Sequence, residues 1–176
     1  MLYERKLFKE VVKRIEDKEI LVVTGMRRVG KTTLFKMVFD LIKSNNKVFF
    51  DMENPLDQKI FEEEDYNNIL ANLKPFGINI NEKAFIFIDE IQAKPDIVKI
   101  VKYLYDHYNI KFFLTGSSSF YLKNLFPESL SGRKIIFELY PLDFEEFLMF
   151  KNMKKEFYTS FKDKESNKNY ISYERI

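Results

Sequence analysis

Cysteine is absent from the 176 residues. That excludes disulfides, thiolate metal sites and a cysteine nucleophile. Histidine occurs once, at His107, so no zinc ligand set can be assembled from His and Cys. No stretch of roughly 18 apolar residues exists, so nothing in the sequence is expected to span a membrane. The opening, Met1 to Lys6, leads into an amphipathic pattern rather than an apolar signal core. Net charge is only +2, too small to argue for nucleic acid by itself. Tryptophan is missing, and glycine and proline number five each. The expected setting is a reducing cytoplasm without membrane contact. What is abundant is phenylalanine (19) and tyrosine (10), within a hydrophobic content of 45%. That suffices for one domain with a real core, and the aromatics fall mostly at core positions.

Against this scarcity of glycine, two of the five sit in one short stretch. Residues Gly25 to Thr32 read G-M-R-R-V-G-K-T and fit the phosphate-loop pattern G-x-x-x-x-G-K-[ST]. The apolar run Ile20–Thr24 leads in, and a helical pattern from Thr32 leads out. Strand, glycine loop and helix are the context this motif requires. Gly25 and Gly30 let the chain bend so that backbone N–H groups of residues 26 to 32, through Met26, Arg27, Arg28 and Val29, face one concavity. The helix aims its positive end at the same point. Lys31 supplies a mobile charge for β- and γ-phosphates, and Thr32 a hydroxyl for magnesium. Arg27 and Arg28 are candidates to face phosphate, a partner or solvent.

Periodicity organises the rest. An amphipathic helix is predicted over 4–17, strands over 20–24, 47–52, 84–88, 110–114 and 134–139, and helices over 32–44, 62–74, 95–108, 119–126 and 141–150. Asn54-Pro55 reads as a break. Glu62 to Asp65 read as acids matched to a helix N-terminus, and His107 as a cation at a helix C-terminus. Asp143 reads as an N-cap. Alternating strands and helices predict a parallel sheet covered on both faces, an α/β fold. The domain is expected over 1–150. A basic tail follows over 151–176, with seven Lys/Arg against four Asp/Glu. Its alternating basic and aromatic residues (Lys154, Lys155, Phe157, Tyr158, Phe161, Lys162) leave a nucleic-acid contact open without further support.

Phe85-Ile-Phe-Ile-Asp89-Glu90 places two acids at the carboxyl end of a buried strand, where open parallel sheets bind ligands. Asp89 is expected to hold magnesium through water beside Thr32, and Glu90 to polarise the attacking water. One strand later, Thr115 and Ser117 offer hydroxyls at the same edge, toward the γ-phosphate or that water. Arg133, in Leu130-Ser-Gly-Arg133, is a candidate to reach phosphate in its own subunit or a neighbour's.

Four pieces together resemble the ATPase domain of the prokaryotic and archaeal AAA+-like ATPases. They are Thr24-Gly-Met-Arg-Arg-Val-Gly-Lys-Thr-Thr33, Phe87-Ile-Asp-Glu-Ile-Gln92, Leu114-Thr-Gly-Ser-Ser-Ser119, and Leu130-Ser-Gly-Arg133 followed by Glu138-Leu-Tyr-Pro-Leu-Asp-Phe-Glu-Glu-Phe147. The resemblance implies a three-layer αβα P-loop NTPase sandwich with a five-stranded parallel sheet of order 5-1-4-3-2. It implies that Lys31, Thr32 and Thr33 form Walker A, and that Asp89 and Glu90 form Walker B. Thr115 to Ser117 would carry the sensor position, and Arg133 the arginine acting on the γ-phosphate. Relatives usually continue past the Y-P-L-x-F segment into a helical or winged-helix region and a further domain, and only the ATPase part is expected here. The expected function is ATP binding with Mg2+ and slow hydrolysis by water. Two alternatives stay open: a non-catalytic nucleotide-dependent interaction switch, with a protein partner or self-association, and a nucleotide or small-molecule kinase.

Overall fold

A computed structural model describes residues 3–117, 130 and 132–151 of the chain. The chain divides into two units, one of Glu4–Pro141 and one of Met1–Tyr3 with Leu142–Ile176. The domain boundary expected after residue 150 thus falls inside the second unit. The helix expected over 119–126 and the tail residues 152–176 lie outside the described residues.

The larger unit runs α1 (Lys6–Val12), β1 (Ile20–Thr24), α2 (Lys31–Leu41), β2 (Lys47–Asp51), α3 (Pro55–Ile60), α4 (Tyr66–Leu73), β3 (Ala84–Asp89), α5 (Ile97–His107), β4 (Ile110–Gly116) and β5 (Lys134–Glu138). All strand pairs are parallel, in the order β2-β3-β4-β1-β5. That is the expected 5-1-4-3-2 sheet read from the other side.

The unbroken apolar runs are explained by burial on both faces. Along a strand, successive side chains point to opposite sides. Ile20 and Val22 enter one core with Ile86, Ile88, Phe112 and Leu114, under α4 and α5. Leu21 and Val23 enter the other with Phe85, Phe87 and Phe113, under α1 and α2. Phenylalanine is concentrated in this second layer. The Phe87 and Phe113 rings stack at 4.1 Å, and Phe35 meets both edge-on at 5.6 and 5.8 Å. Helix α5 repeats apolar residues at helical spacing, and Ile97, Ile100, Val101 and Leu104 are buried.

The widest departures from the expected boundaries fall at three places, each for a local reason. Helix α1 ends at Val12 because the Arg14 and Ile15 amides bond three residues back, to Val11 and Val12, and the helix tightens into turns. Asn54-Pro55 starts a helix rather than breaking a strand. The Asn54 side chain accepts from the Leu56 amide and proline occupies the first turn, where its missing N–H costs nothing. The acidic run does not open α4 within itself; Asp65 caps it by accepting from Asn67 N.

In the second unit the described helix is α6 (Phe144–Phe150). Asp143 caps it and Glu146 returns the bond to the Asp143 amide, a full capping box. Among the described residues, no helix is long and apolar enough to cross a membrane.

Candidate functional site

Thr24 hands the chain to the glycine loop at the carboxyl edge of the sheet. Gly25 sits at φ +148°, and a Cβ there would collide with the Leu139 carbonyl oxygen. The loop is therefore pressed against the exit of β5, where Leu139 N also donates to Thr24 O at 2.7 Å. Arg28 (φ 65°) and Gly30 (φ 98°) take the left-handed conformation that turns backbone amides into a concavity. Gly30 is then the N-cap of α2, placing Lys31, Thr32 and Thr33 in its first turn.

Lys31 is buried, and its Nζ donates to Gly25 O at 3.2 Å and Met26 O at 3.0 Å. The same ammonium stands 3.7 Å from Glu90 Oε1. One turn of α2 lies over the end of β3, so the Thr32 hydroxyl donates to Asp89 Oδ2 at 2.7 Å. The other Asp89 oxygen accepts from Thr115 Oγ1. Thr115 Oγ1 in turn accepts from the Glu90 amide at 3.0 Å. Lys31, Thr32, Asp89, Glu90 and Thr115 thus meet in one polar cluster, although 57 residues separate Thr32 from Asp89.

The two neighbouring acids live in different surroundings. Burial pushes the Asp89 carboxyl up, against hydrogen bonds from Thr115 and Thr32, and the Glu90 and Asp51 charges add to the rise. Burial also acts upward on Glu90, but hydrogen bonds from Ser117 and Gln92 and the Lys31 and Arg27 charges outweigh it. The Glu90 carboxyl is held below its usual range. Glu90 itself adopts φ 52°, an uncommon backbone state for a residue with a side chain.

Some expected roles change. The Thr115 hydroxyl is fully buried beside the two acids and donates to Asp89. Ser117 Oγ donates to Glu90 Oε2 at 2.5 Å. Arg133 is corrected most. It precedes β5, and its carbonyl accepts from Ile20 N at the start of β1, so it stands at the amino edge of the sheet, opposite the glycine loop. Its guanidinium donates to Asp106 Oδ1 at 2.8 Å and cannot reach its own subunit's loop from there. Arg27 is solvent-exposed, 4.0 Å from Glu53. Met26 is exposed as well.

Two residues have no role in the sequence reading. Gln92 donates to Glu90 Oε2 and to Ser117 Oγ, and its own Oε1 accepts from Ser117 N. Its place two residues after Glu90 was the available signal. Arg5 donates to Val29 O and Tyr140 O, and no local pattern announces partners 24 and 135 residues away.

The donors fit a magnesium ion held chiefly by phosphate. The adjoining groups are hard oxygens, Thr32 Oγ1 and Asp89 Oδ2, and no group of three or more His, Asp or Glu able to cage a metal occurs among the described residues.

Sheet order, loop geometry and the paired acids define the P-loop NTPase class. Residues 17–148 match the family described as AAA domain, and the chain belongs to that family. It is 38% identical over 155 residues to an uncharacterized protein of Methanocaldococcus jannaschii, covering 84% of this chain and 32% of that protein. It is 28% identical over 158 residues to one of Haemophilus influenzae, covering 87% and 39%. The chain therefore spans 32–39% of these relatives' length. Among solved structures, the Pif1 helicase of Candida albicans superposes with a TM-score of 0.59 at 11% identity, over 83% of this chain and 42% of that one. PCH-2 of C. elegans gives 0.51 at 19% identity, over 91% and 49%. These likenesses are of fold.

Proposed function

We propose that this domain binds ATP with Mg2+ and hydrolyses it slowly, by attack of water on the γ-phosphate. The observation that carries the reading is the linked cluster at the foot of the glycine loop, Lys31–Glu90 beside Thr32–Asp89–Thr115. Backbone N–H groups of residues 26 to 32 would take the phosphate oxygens. Lys31 would exchange its two carbonyl partners and Glu90 for the β- and γ-phosphates. Thr32 and Asp89 would hold magnesium, Asp89 through water. When bound, the metal offsets charge on the phosphate oxygens. Glu90, its carboxyl held below the usual range, can accept a hydrogen bond from water and orient it. Thr115 fixes both acids by holding the Asp89 carboxylate and the Glu90 amide.

Titration calorimetry with ATP and magnesium tests the cradle. Lys31→Ala should weaken binding by at least about ten-fold, since a charged hydrogen bond contributes about 1.5–3 kcal/mol. Undiminished affinity in that variant would contradict the assignment.

A second reading draws on one specific contact. Glu90 Oε2 is already engaged by Ser117 and Gln92. If that engagement persists with ATP bound, the domain acts as a nucleotide-dependent switch whose output is docking of a protein partner or a second copy. Phosphate release at background beside tight ATP binding selects this reading. Diphosphate formed from added nucleoside monophosphate would select a kinase instead.

A further inference from the structure

Arg5 lies ahead of α1, outside every motif, yet it is only 9% exposed. One terminal nitrogen donates to Val29 O at 2.9 Å and the other to Tyr140 O at 2.7 Å. The first acceptor belongs to the glycine loop, the second to the segment leaving β5. A planar guanidinium serves two carbonyls at a fixed angle, which a lysine ammonium on its flexible stem does not reproduce.

The peptide joining Val29 to Gly30 is trans, as are all in the described chain. Its C=O and N–H therefore point in opposite directions. Fixing the Val29 carbonyl outward onto Arg5 fixes the Gly30 amide inward. Gly30 sits at φ 98°, a residue whose backbone is otherwise the freest in the loop. On the opposite flank, Gly25 is pressed on Leu139, next to Tyr140. The loop is thus held from both ends by the chain leaving β5, directly at Gly25 and through Arg5 at Val29.

We propose that Arg5 is a positioning residue for phosphate binding, clamping the Val29–Gly30 peptide so that the Gly30 amide is presented to the nucleotide's phosphates. The clamp rests on the ATP-binding reading above and assigns a role to a residue which that reading does not use. It lowers the ordering cost of binding, because a loop already in its bound shape loses less freedom when ligand arrives.

The test compares Arg5→Lys with Asn46→Ala, a buried substitution at the opposite edge of the sheet that destabilises the fold without touching the loop. ATP and inorganic pyrophosphate affinities are measured by calorimetry, well below each variant's ligand-free melting temperature. Arg5→Lys should weaken both ligands by about ten-fold, the loss of one charged hydrogen bond, while Asn46→Ala binds as the wild type does. In nitrogen–proton spectra of the ligand-free chain, the Gly30 amide should shift in Arg5→Lys and stay in place in Asn46→Ala. Equal affinity in Arg5→Lys and wild type overturns the clamp. So does equal loss in both variants, which would make Arg5 a contributor to stability alone. A wild type that binds neither ligand removes the ATP-binding reading instead, whatever the Arg5 variant does.

Discussion

The two edges of this sheet use their buried polar groups differently. At the amino edge, side chains are tied to backbone. Asn46 donates to the carbonyls of Asn79 (2.8 Å) and Lys83 (3.1 Å) and accepts from Asn79 N (2.8 Å). Lys111, 1% exposed, donates to the carbonyls of Asp17 and Glu19. At the carboxyl edge, besides Lys31 and Arg5 on carbonyls of the glycine loop and its flank, side chains are tied to one another: Thr32 and Thr115 to Asp89, and Ser117 and Gln92 to Glu90. The amino-edge bonds to backbone hold loops in place. Bonds among side chains can be exchanged for a ligand's at little cost to the fold. The contrast assigns stability to one edge and function to the other.

Substitutions can break that division. The largest effect is expected from Glu90→Gln, which should cut phosphate release by about 10²–10⁴-fold, the range for a lost general base, while leaving ATP bound. Equal turnover would remove Glu90 from the chemistry. Next comes Asn46→Ala, which orphans two carbonyls and one amide and should cost about 2–4 kcal/mol in urea unfolding. A loss of ATP affinity in that variant would erase the distinction between the edges.

Lys111 sharpens the contrast through pH. Burial pulls its pKa from 10.5 down to about 8, with Lys83 adding to the fall and nearby acids opposing it. Below about pH 8 both folded and unfolded chains carry the proton. Above it the folded chain sheds the proton while the unfolded chain keeps it up to its ordinary pKa of 10.5. Unfolded chains then bind more protons, so stability rises with pH across this window. Relative to Lys111→Met, the wild type should gain about 1–2 kcal/mol between pH 7 and 9.5. A flat difference would show the ammonium better compensated by its carbonyls than burial implies. The smallest effect belongs to Arg133→Ala. Its partly exposed pair with Asp106 should contribute no more than about 1 kcal/mol, with ATP affinity of the isolated chain unaltered.

The sheet was legible because strands buried on both faces leave unbroken runs such as Ala84–Ile88, and the loop because glycine, lysine and threonine at set spacing have few other uses. Strand order came through resemblance, since periodicity alone does not say which strands are neighbours. Arg133 was misplaced by reading a motif without its direction. A residue that precedes a parallel strand stands at the amino edge, away from the ligand. The helix at Pro55 was hidden because Asn-Pro serves equally as a stop and as a cap with a first-turn proline. Arg5 gave no signal at all. Its partners are carbonyls, which every residue possesses, so side-chain identity at positions 29 and 140 carries no trace of the contact.

The collision that forbids a side chain at Gly25 also sets a timetable for synthesis. The wall against which the loop leans is Leu139, directly after β5. A nascent polypeptide that has left the ribosome only as far as β4 already carries all eight residues of the loop, yet lacks the surface that shapes them. Capacity to capture a triphosphate should therefore switch on only once β5 has emerged, more than a hundred codons after the motif itself has been read.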